Sequence, residues 1–321
     1  MNQHISVLLQ QVVENFSYLK DLEKGYFVDG TLGAGGHSIE ILKNINNPNI
    51  VLVGIDKDKK AISIARRNFK KADLPNKIIY VNKDFKEIAE ISEKYKIKDI
   101  CGCLLDLGVS SMQINTPDRG FSFQNPDEIL DMRMDQESEF RASDILNGYS
   151  QEKIAEILYK YGEEPFARII AKDIVQYREK KYIETVGQLL EILLKTLPRK
   201  YVATSQKHYA TKVFQALRIE TNKELDQLSE TLKEYEKLLI KDGRLAVISF
   251  HSLEDRIVKE TFRSIANPCK CPPKMPCNCG LTPTSQILTR KPMIADELEI
   301  STNPRSRSAK MRIIEKITDN V

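Results

Sequence analysis

The chain has no apolar tract that approaches the length of a membrane span. Its first residues, Met1-Asn2-Gln3-His4-Ile5, lack the basic start and long apolar core of a secretion signal. Membrane insertion and export are therefore not expected, and the protein is placed in the cytoplasm. Neither an internal repeat nor a low-complexity tract occurs, which sets aside solenoids and unstructured linkers. Charge of one sign is scarce as well. The 49 Lys and Arg against 45 Asp and Glu leave a formal +4, which permits nucleic-acid binding but argues for it only if the charges cluster. What is present is 321 residues with 41% apolar content, enough for a substantial core and longer than most single domains. One large domain with an insert is expected.

The most informative stretch is Asp29-Gly30-Thr31-Leu32-Gly33-Ala34-Gly35-Gly36-His37-Ser38, set between the apolar runs Tyr26-Phe27-Val28 and Ile39-Glu40-Ile41-Leu42. It reads as strand, tight turn, helix. Gly33, Gly35 and Gly36 permit positive φ and close approach of a ligand, and the helix start offers unpaired N–H groups. A second apolar run, Ile50 to Ile55, ends at Asp56, where a carboxylate would accept hydrogen bonds from a ribose. A full G-x-G-x-x-G dinucleotide fingerprint is missing, because Thr31 stands at its first glycine. Asp29 would repel a pyrophosphate and suits a cation or an amino group. S-adenosylmethionine carries both and has no phosphate. The competing account makes Asp29 and Asp56 solvated carboxylates at strand ends.

Alternation of strands and helices continues. Ala61 to Phe69 has helical periodicity, and Lys77 to Val81 reads as a strand leading to Asp84-Phe85, beside the expected adenine. Phe85 either stacks on that base or packs the sheet. A fourth strand, Ile100 to Leu105, delivers Asp106-Leu107-Gly108-Val109, and a fifth spans Gly243 to Phe250 after a helix over Asn222 to Leu239. Between them the rhythm breaks. Gln151 to Tyr161, Pro165 to Tyr177 and Thr185 to Leu194 are helical in spacing, with no convincing strand. The expected architecture is an α/β, Rossmann-like methyltransferase sheet in two parts, 1–124 and 206–321, with an all-helical insert at 125–205. An insert after strand four either holds the acceptor or acts as a stabilising cap.

Cations gather in two places. Pro304 to Arg312 holds Arg305, Arg307, Lys310 and Arg312 without an acid, and Lys195 to Lys212 adds Arg199, Lys200, Lys207 and His208. Each patch either meets phosphates or is a solvated surface. Cys269-Lys-Cys271 and Cys277-Asn-Cys279 form two C-x-C pairs among prolines. They either hold a structural zinc or bind no metal, and a reducing cytosol favours thiolates over disulfides. No catalytic metal is expected. Cys101 and Cys103 read as small core residues. His251 follows the fifth strand. It either relays a proton or belongs to a helix start capped by Ser252 with Asp255 at the third helical position.

Several blocks together resemble the RsmH family, also called MraW. They are Asp29 to Ser38, Leu105-Asp-Leu-Gly-Val-Ser-Ser111, Arg119-Gly-Phe-Ser-Phe123, Leu130-Asp-Met-Arg-Met-Asp135, Phe214-Gln-Ala-Leu-Arg-Ile219 and Ile248-Ser-Phe-His-Ser-Leu-Glu-Asp-Arg-Ile257. The resemblance runs from His4 to about Arg312. It implies transfer of a methyl group from S-adenosylmethionine to N4 of a cytidine in the decoding region of 16S rRNA, the partner being the small ribosomal subunit. By the same resemblance Gly35, Gly36, His37, Asp56, Phe85, Asp106 and Gln113 are the cofactor contacts. His37 and Gln113 rest on it alone, since a lone histidine at a helix start is usually a cap and a loop glutamine is usually solvated.

Cytosine N4 shares its lone pair with the ring, so the site must accept a hydrogen bond from the amino group and later take its proton. Asp106 and His251 are the candidate catalytic residues. Many amino-methyltransferases follow the strand-four carboxylate or amide with Pro-Pro and an aromatic, which this chain does not. A stacking aromatic must then come from Phe121, Phe123, Phe250 or His251. Two other classes compete: a noncatalytic RNA-binding factor, which would not need Gly35, Gly36, Asp56 and Asp106 together, and a nicotinamide-dependent dehydrogenase, which would need a better glycine fingerprint and a hydride-transfer acid.

Overall fold

The computed structural model describes residues 6–108, 119–204, 208–272 and 278–319. Gln113 and Cys277 lie outside them. The chain divides into two compact units, one of residues 1–108 with 227–321 and one of residues 109–226.

The first unit is built on a seven-stranded sheet. Its strands are β1 (Gly25–Asp29), β2 (Ile50–Ile55), β3 (Ile78–Val81), β4 (Ile100–Leu107), β5 (Leu239–Ser249), β6 (Ser285–Ile287) and β7 (Lys310–Lys316). Their order is β3-β2-β1-β4-β5-β7-β6. The first five run parallel, and β7 is antiparallel to both its neighbours. Order reverses between β1 and β4, so the crevice of this open sheet lies at their carboxyl ends, where Asp29 and Asp106 stand.

Strand parity separates two cores. Phe27, Leu52, Leu104 and Ala246 pack with Phe16 of α1 (Leu9–Phe16), Ile41 and Leu42 of α2 (Gly36–Ile45) and Phe69 of α3 (Lys59–Ala72). Their neighbours Val28, Val53, Leu105 and Val247 pack on the other face with Ile88 of α4 (Ile88–Tyr95), Tyr235 of α11 (Leu228–Leu238) and Phe262 of α12 (Ser252–Ala266). Side chains alternate across a strand, so consecutive apolar residues supply both faces of a doubly covered sheet. Cys101 and Cys103 are both fully buried, yet they face opposite cores. The register of β4 shifts between Ile100 and Gly102 against β5, and this irregularity breaks the parity.

The second unit is helical among its described residues: α5 (Ala142–Gly148), α6 (Gln151–Gly162), α7 (Ala167–Arg178), α8 (Val186–Thr196), α9 (Arg199–Thr204) and α10 (Thr211–Asn222). Leu146, Ile157, Ile170, Leu193 and Phe214 form its own core. An isolated bridge pairs Ile129 with Thr185. Thr185 also caps α8 in a reciprocal box with Gln188, which satisfies donors at both ends of that turn.

The expectations for both cationic groups change. The tail Pro304 to Arg312 is not one cationic surface: Arg305 and Arg307 are exposed on a 3-10 turn, whereas Arg312 is buried in β7 and its Nε donates to Asp255 Oδ1 at 2.6 Å. His208 of the other cationic group lies flat on Phe123 with centroids 4.1 Å apart. Partial desolvation there lowers its pKa, which disfavours the charged form. Among the described residues, no helix is long and apolar enough to cross a membrane.

Candidate active site

The glycine loop is held by hydrogen bonds from every side. Leu32 N donates to Ile55 O at 2.9 Å, Gly33 N to Asp56 Oδ2 at 2.8 Å, and Asn68 Nδ2 of α3 to Ala34 O at 2.9 Å. Gly33 and Gly35 take φ of 53° and 85°, which an L side chain resists. A Cβ on Gly35 would also stand 2.6 Å from the ring of Phe69, and one on Gly36 would overlap Ser6 Oγ. The bareness of the loop thus lets α3 and the N-terminal segment close under it.

Asp29 is not a solvated strand-end carboxylate. It is 2% exposed, Oδ1 accepts from Thr31 N at 3.1 Å and Oδ2 accepts from Ser38 Oγ at 2.5 Å. Burial raises its pKa to about 6 against those hydrogen bonds. Its work is to clamp the two ends of the loop. Asp56 is half-buried, with Oδ2 on Gly33 N and Oδ1 on Asp58 N at 2.8 Å each. Each oxygen keeps a lone pair for a further donor such as a ribose hydroxyl. Burial lifts Asp56 to about 6 as well. Thr31, in the place of the missing first glycine, has a use of its own: its Oγ accepts from Asp106 N at 2.6 Å and joins the loop to the end of β4.

Among the described carboxylates, Asp106 has its pKa raised furthest. Oδ1 is buried and has no hydrogen-bond partner among the described residues, and Oδ2 lies 3.8 Å from His37 Nδ1. Desolvation, with repulsion from Glu254 behind it, raises its pKa to about 7. His37 is no surface cap. It is buried on α2, and Nε2 sits 2.8 Å from the carbonyl of Val7, which fixes the proton there and leaves the Nδ1 lone pair toward Asp106. Burial lowers the His37 pKa. A carboxyl that resists ionisation thus stands 3.8 Å from an imidazole that resists protonation, too far for a direct hydrogen bond.

Phe85 opens a 3-10 turn capped by Asp84, and its carbonyl accepts from Tyr235 Oη at 3.1 Å. A Cβ on Gly30 would lie 3.2 Å from Phe85 Cβ, so Phe85 borders the base of the loop. It is partly buried against the α11 side of the sheet. Phe250 follows β5, with its ring 2.8 Å from where a Gly108 Cβ would stand. His251, rather than Ser252, is the N-cap of α12. Its Nδ1 accepts from Glu254 N at 3.4 Å, and Glu254 Oε2 accepts from Phe250 N at 2.8 Å. His251 Nε2 lies 3.1 Å from Glu254 Oε1 without hydrogen-bond alignment. Phe121 and Phe123 pack against the core of the helical unit, Phe123 with one face on His208.

The loop, Asp56, Phe85, His37 and Asp106 thus gather around the carboxyl ends of β1, β2 and β4. Sequence reasoning did not find Ser38, Asn68 or Thr31, whose partners lie 9, 34 and 75 residues away. A family model described as the MraW methylase family matches residues 1–317. The chain is 45% identical over 316 residues to ribosomal RNA small subunit methyltransferase H of Clostridium botulinum (strain Loch Maree / Type A3), covering 98% of this chain and 99% of that one. It is 42% identical over 315 residues to the protein of the same name in Clostridioides difficile (strain 630), at 98% and 99% coverage. A solved structure titled as a putative rRNA-methylase from Clostridium thermocellum aligns over 98% of this chain and 100% of that one, with 12% identity and a TM-score of 0.44.

Proposed function

The chain belongs to the MraW methylase family, and from that membership we propose that it transfers a methyl group from S-adenosylmethionine to N4 of a cytidine in the decoding region of 16S rRNA, within the small ribosomal subunit in the cytoplasm. The observation that carries this reading is Asp106: a carboxylate at the end of β4 with one buried, unpartnered oxygen and a pKa near neutrality, in the crevice of the sheet. The residues around it suit the methyl donor. Gly35 and Gly36 shape the loop, Asp56 offers acceptors for ribose hydroxyls, Phe85 flanks the base, and His37 backs Asp106. Gln113 is assigned to the same set by resemblance. Bound there, S-adenosylmethionine would supply an electrophilic methyl on its sulfonium, with a neutral thioether as the leaving group.

The protein then has two tasks. The first is alignment of the amino nitrogen in line with the S–CH3 bond, which lowers the barrier mainly through entropy. The second is handling protons. Asp106 accepts a hydrogen bond from the amino group, which raises electron density on N4, and takes the proton that N4 must release. His37 Nδ1 stands 3.8 Å behind it. A carboxyl poised near 7 is matched to this work at neutral pH. His251 is assigned to the RNA side of the reaction, supported by its place directly after β5. Contact with the rRNA is assigned to the inserted helical unit, supported by exposed Arg199 and Lys200.

Incubating the protein with radiolabelled methyl donor and small ribosomal subunits from a strain lacking this protein, followed by nucleoside analysis, tests the proposal. Label on N4-methylcytidine is expected. Label on another base would keep the enzyme and refute the acceptor, and no label at all would refute methyl transfer to this subunit.

A further inference from the structure

A second chemical cluster lies in the first unit, outside the crevice. Between the end of α12 at Ala266 and the start of β6 at Ser285, the described residues form neither helix nor strand. Without helix or strand, these described residues need some other constraint to hold one conformation. Within it the Sγ atoms of Cys269, Cys271 and Cys279 all lie within 4.8 Å of one another. Cys269 and Cys279 are exposed and Cys271 is half-buried, so apolar packing does not account for the convergence. Cys101 and Cys103 show the contrast: they are fully buried, and desolvation holds both thiols well above the ordinary range.

The dimensions suit a tetrahedral ion. Zn–S bonds of about 2.3 Å place the sulfurs of a tetrahedron roughly 3.8 Å apart, inside the 4.8 Å within which the three Sγ atoms lie. Gly280, at φ 64°, turns the chain directly after Cys279. Lys270 stands between two of the sulfurs in sequence and offsets part of the negative charge that thiolates would bring. An all-sulfur donor set excludes magnesium and calcium and favours zinc. Three described thiols supply three corners. For the fourth the sequence offers Cys277, outside the described residues, and water is the alternative.

We propose that Cys269, Cys271 and Cys279 bind one structural zinc ion that fixes the loop joining α12 to β6. On binding, each S–H bond breaks, a Zn–S bond forms and the proton goes to solvent, with no change of oxidation state. The ion would hold the loop ahead of β6, the edge strand that pairs with β7.

The full-length protein, purified without chelator from zinc-supplemented cells, should carry about one zinc per chain by elemental analysis. The C269S/C271S variant should lose it, and C101S, altered inside the sheet, should keep it. Should the double variant fail to fold, wild-type protein stripped by a chelator and refilled with cobalt decides the matter. Thiolate-to-cobalt charge transfer with tetrahedral visible bands is expected, and trypsin should cut after Lys270 faster in the stripped protein than in the refilled one. Zinc well below one per chain despite supplementation, zinc retained by the double variant, no cobalt–thiolate band, or recovery of these cysteines as disulfides would overturn the proposal.

Discussion

His37 Nδ1 faces Asp106 Oδ2 across 3.8 Å, with the other nitrogen of the ring tied to the carbonyl of Val7 and the other oxygen of the carboxyl buried without a partner among the described residues. Across that gap the two are not hydrogen-bonded, and the shift of Asp106 comes from its own burial and the repulsion of Glu254. With Asp106 raised to about 7, kcat/KM for the RNA should climb with pH to a plateau just above neutrality. Asp106→Asn should flatten that limb and lower turnover by about a hundredfold or more, while the affinity for S-adenosylhomocysteine, measured by calorimetry, changes much less. Equal losses of turnover and affinity would make Asp106 a holder of the donor and nothing more.

The same shift has a consequence for stability. An unfolded Asp titrates near 3.9, so between that value and about 7 the folded protein holds the extra proton and the contribution of Asp106 declines as pH rises. Above 7 the cost of the buried charge is complete. Asp106→Asn should stabilise the ligand-free protein at pH 8 by on the order of 1 kcal/mol, a gain that shrinks toward pH 4. Thermal melts across that range check it. A gain independent of pH would show that Asp106 is not the strained carboxyl.

At Gly35 the backbone conformation and the Phe69 ring both oppose a side chain. Gly35→Ala should cost about 1–3 kcal/mol of stability and weaken donor binding at least tenfold. Denaturant melts and calorimetry on one preparation measure both losses. Gly33→Ala, at φ 53° but with open space around its Cβ, should cost less.

His251 caps α12, and its place after β5 also suits a role toward RNA. Asn at an N-cap accepts the same backbone hydrogen bond but cannot carry a proton at neutral pH. His251→Asn should therefore keep the melting temperature and lose turnover, whereas His251→Ala should lose both, with about 1 kcal/mol from the cap. Full activity in the Asn variant would reduce His251 to its cap.

Arg312 is buried against Asp255 and so belongs to the fold. Arg312→Ala should destabilise by roughly 1–3 kcal/mol, because Asp255 then keeps only Lys310, 3.5 Å away, as a cationic partner. The salt dependence of RNA binding should not change. Arg305→Ala should do the reverse if the exposed part of this tail meets phosphate.

How far the sequence discloses this molecule follows from the range of each interaction. Strand, loop and helix around Gly33 and Gly35 are legible because periodicity and glycine chemistry are local, and Asp56 is legible because it ends the next strand. Thr31 bonding to the Asp106 N–H, or Asn68 to the Ala34 carbonyl, is not, since nothing near either residue marks a partner brought in by tertiary folding. Local pattern does not single out His37 for the same reason: the carbonyl that holds its ring belongs to Val7, thirty residues back. β7 hides behind its cations. Lys310 and Arg312 suggest a cationic surface, but pairing with β5 buries Met311, Ile313 and Ile314 in the sheet. The helix start at His251 differs by one residue from the expected Ser252 cap, because Nδ1 of the imidazole reaches the Glu254 N–H first.

Titration of the purified protein with S-adenosylhomocysteine in a calorimeter tests the central claim most directly, that the crevice at the ends of β1, β2 and β4 holds the methyl donor. Heat of one site per chain is predicted, with affinity reduced at least tenfold by Asp56→Ala. The absence of heat from both the donor and its demethylated product would contradict the account.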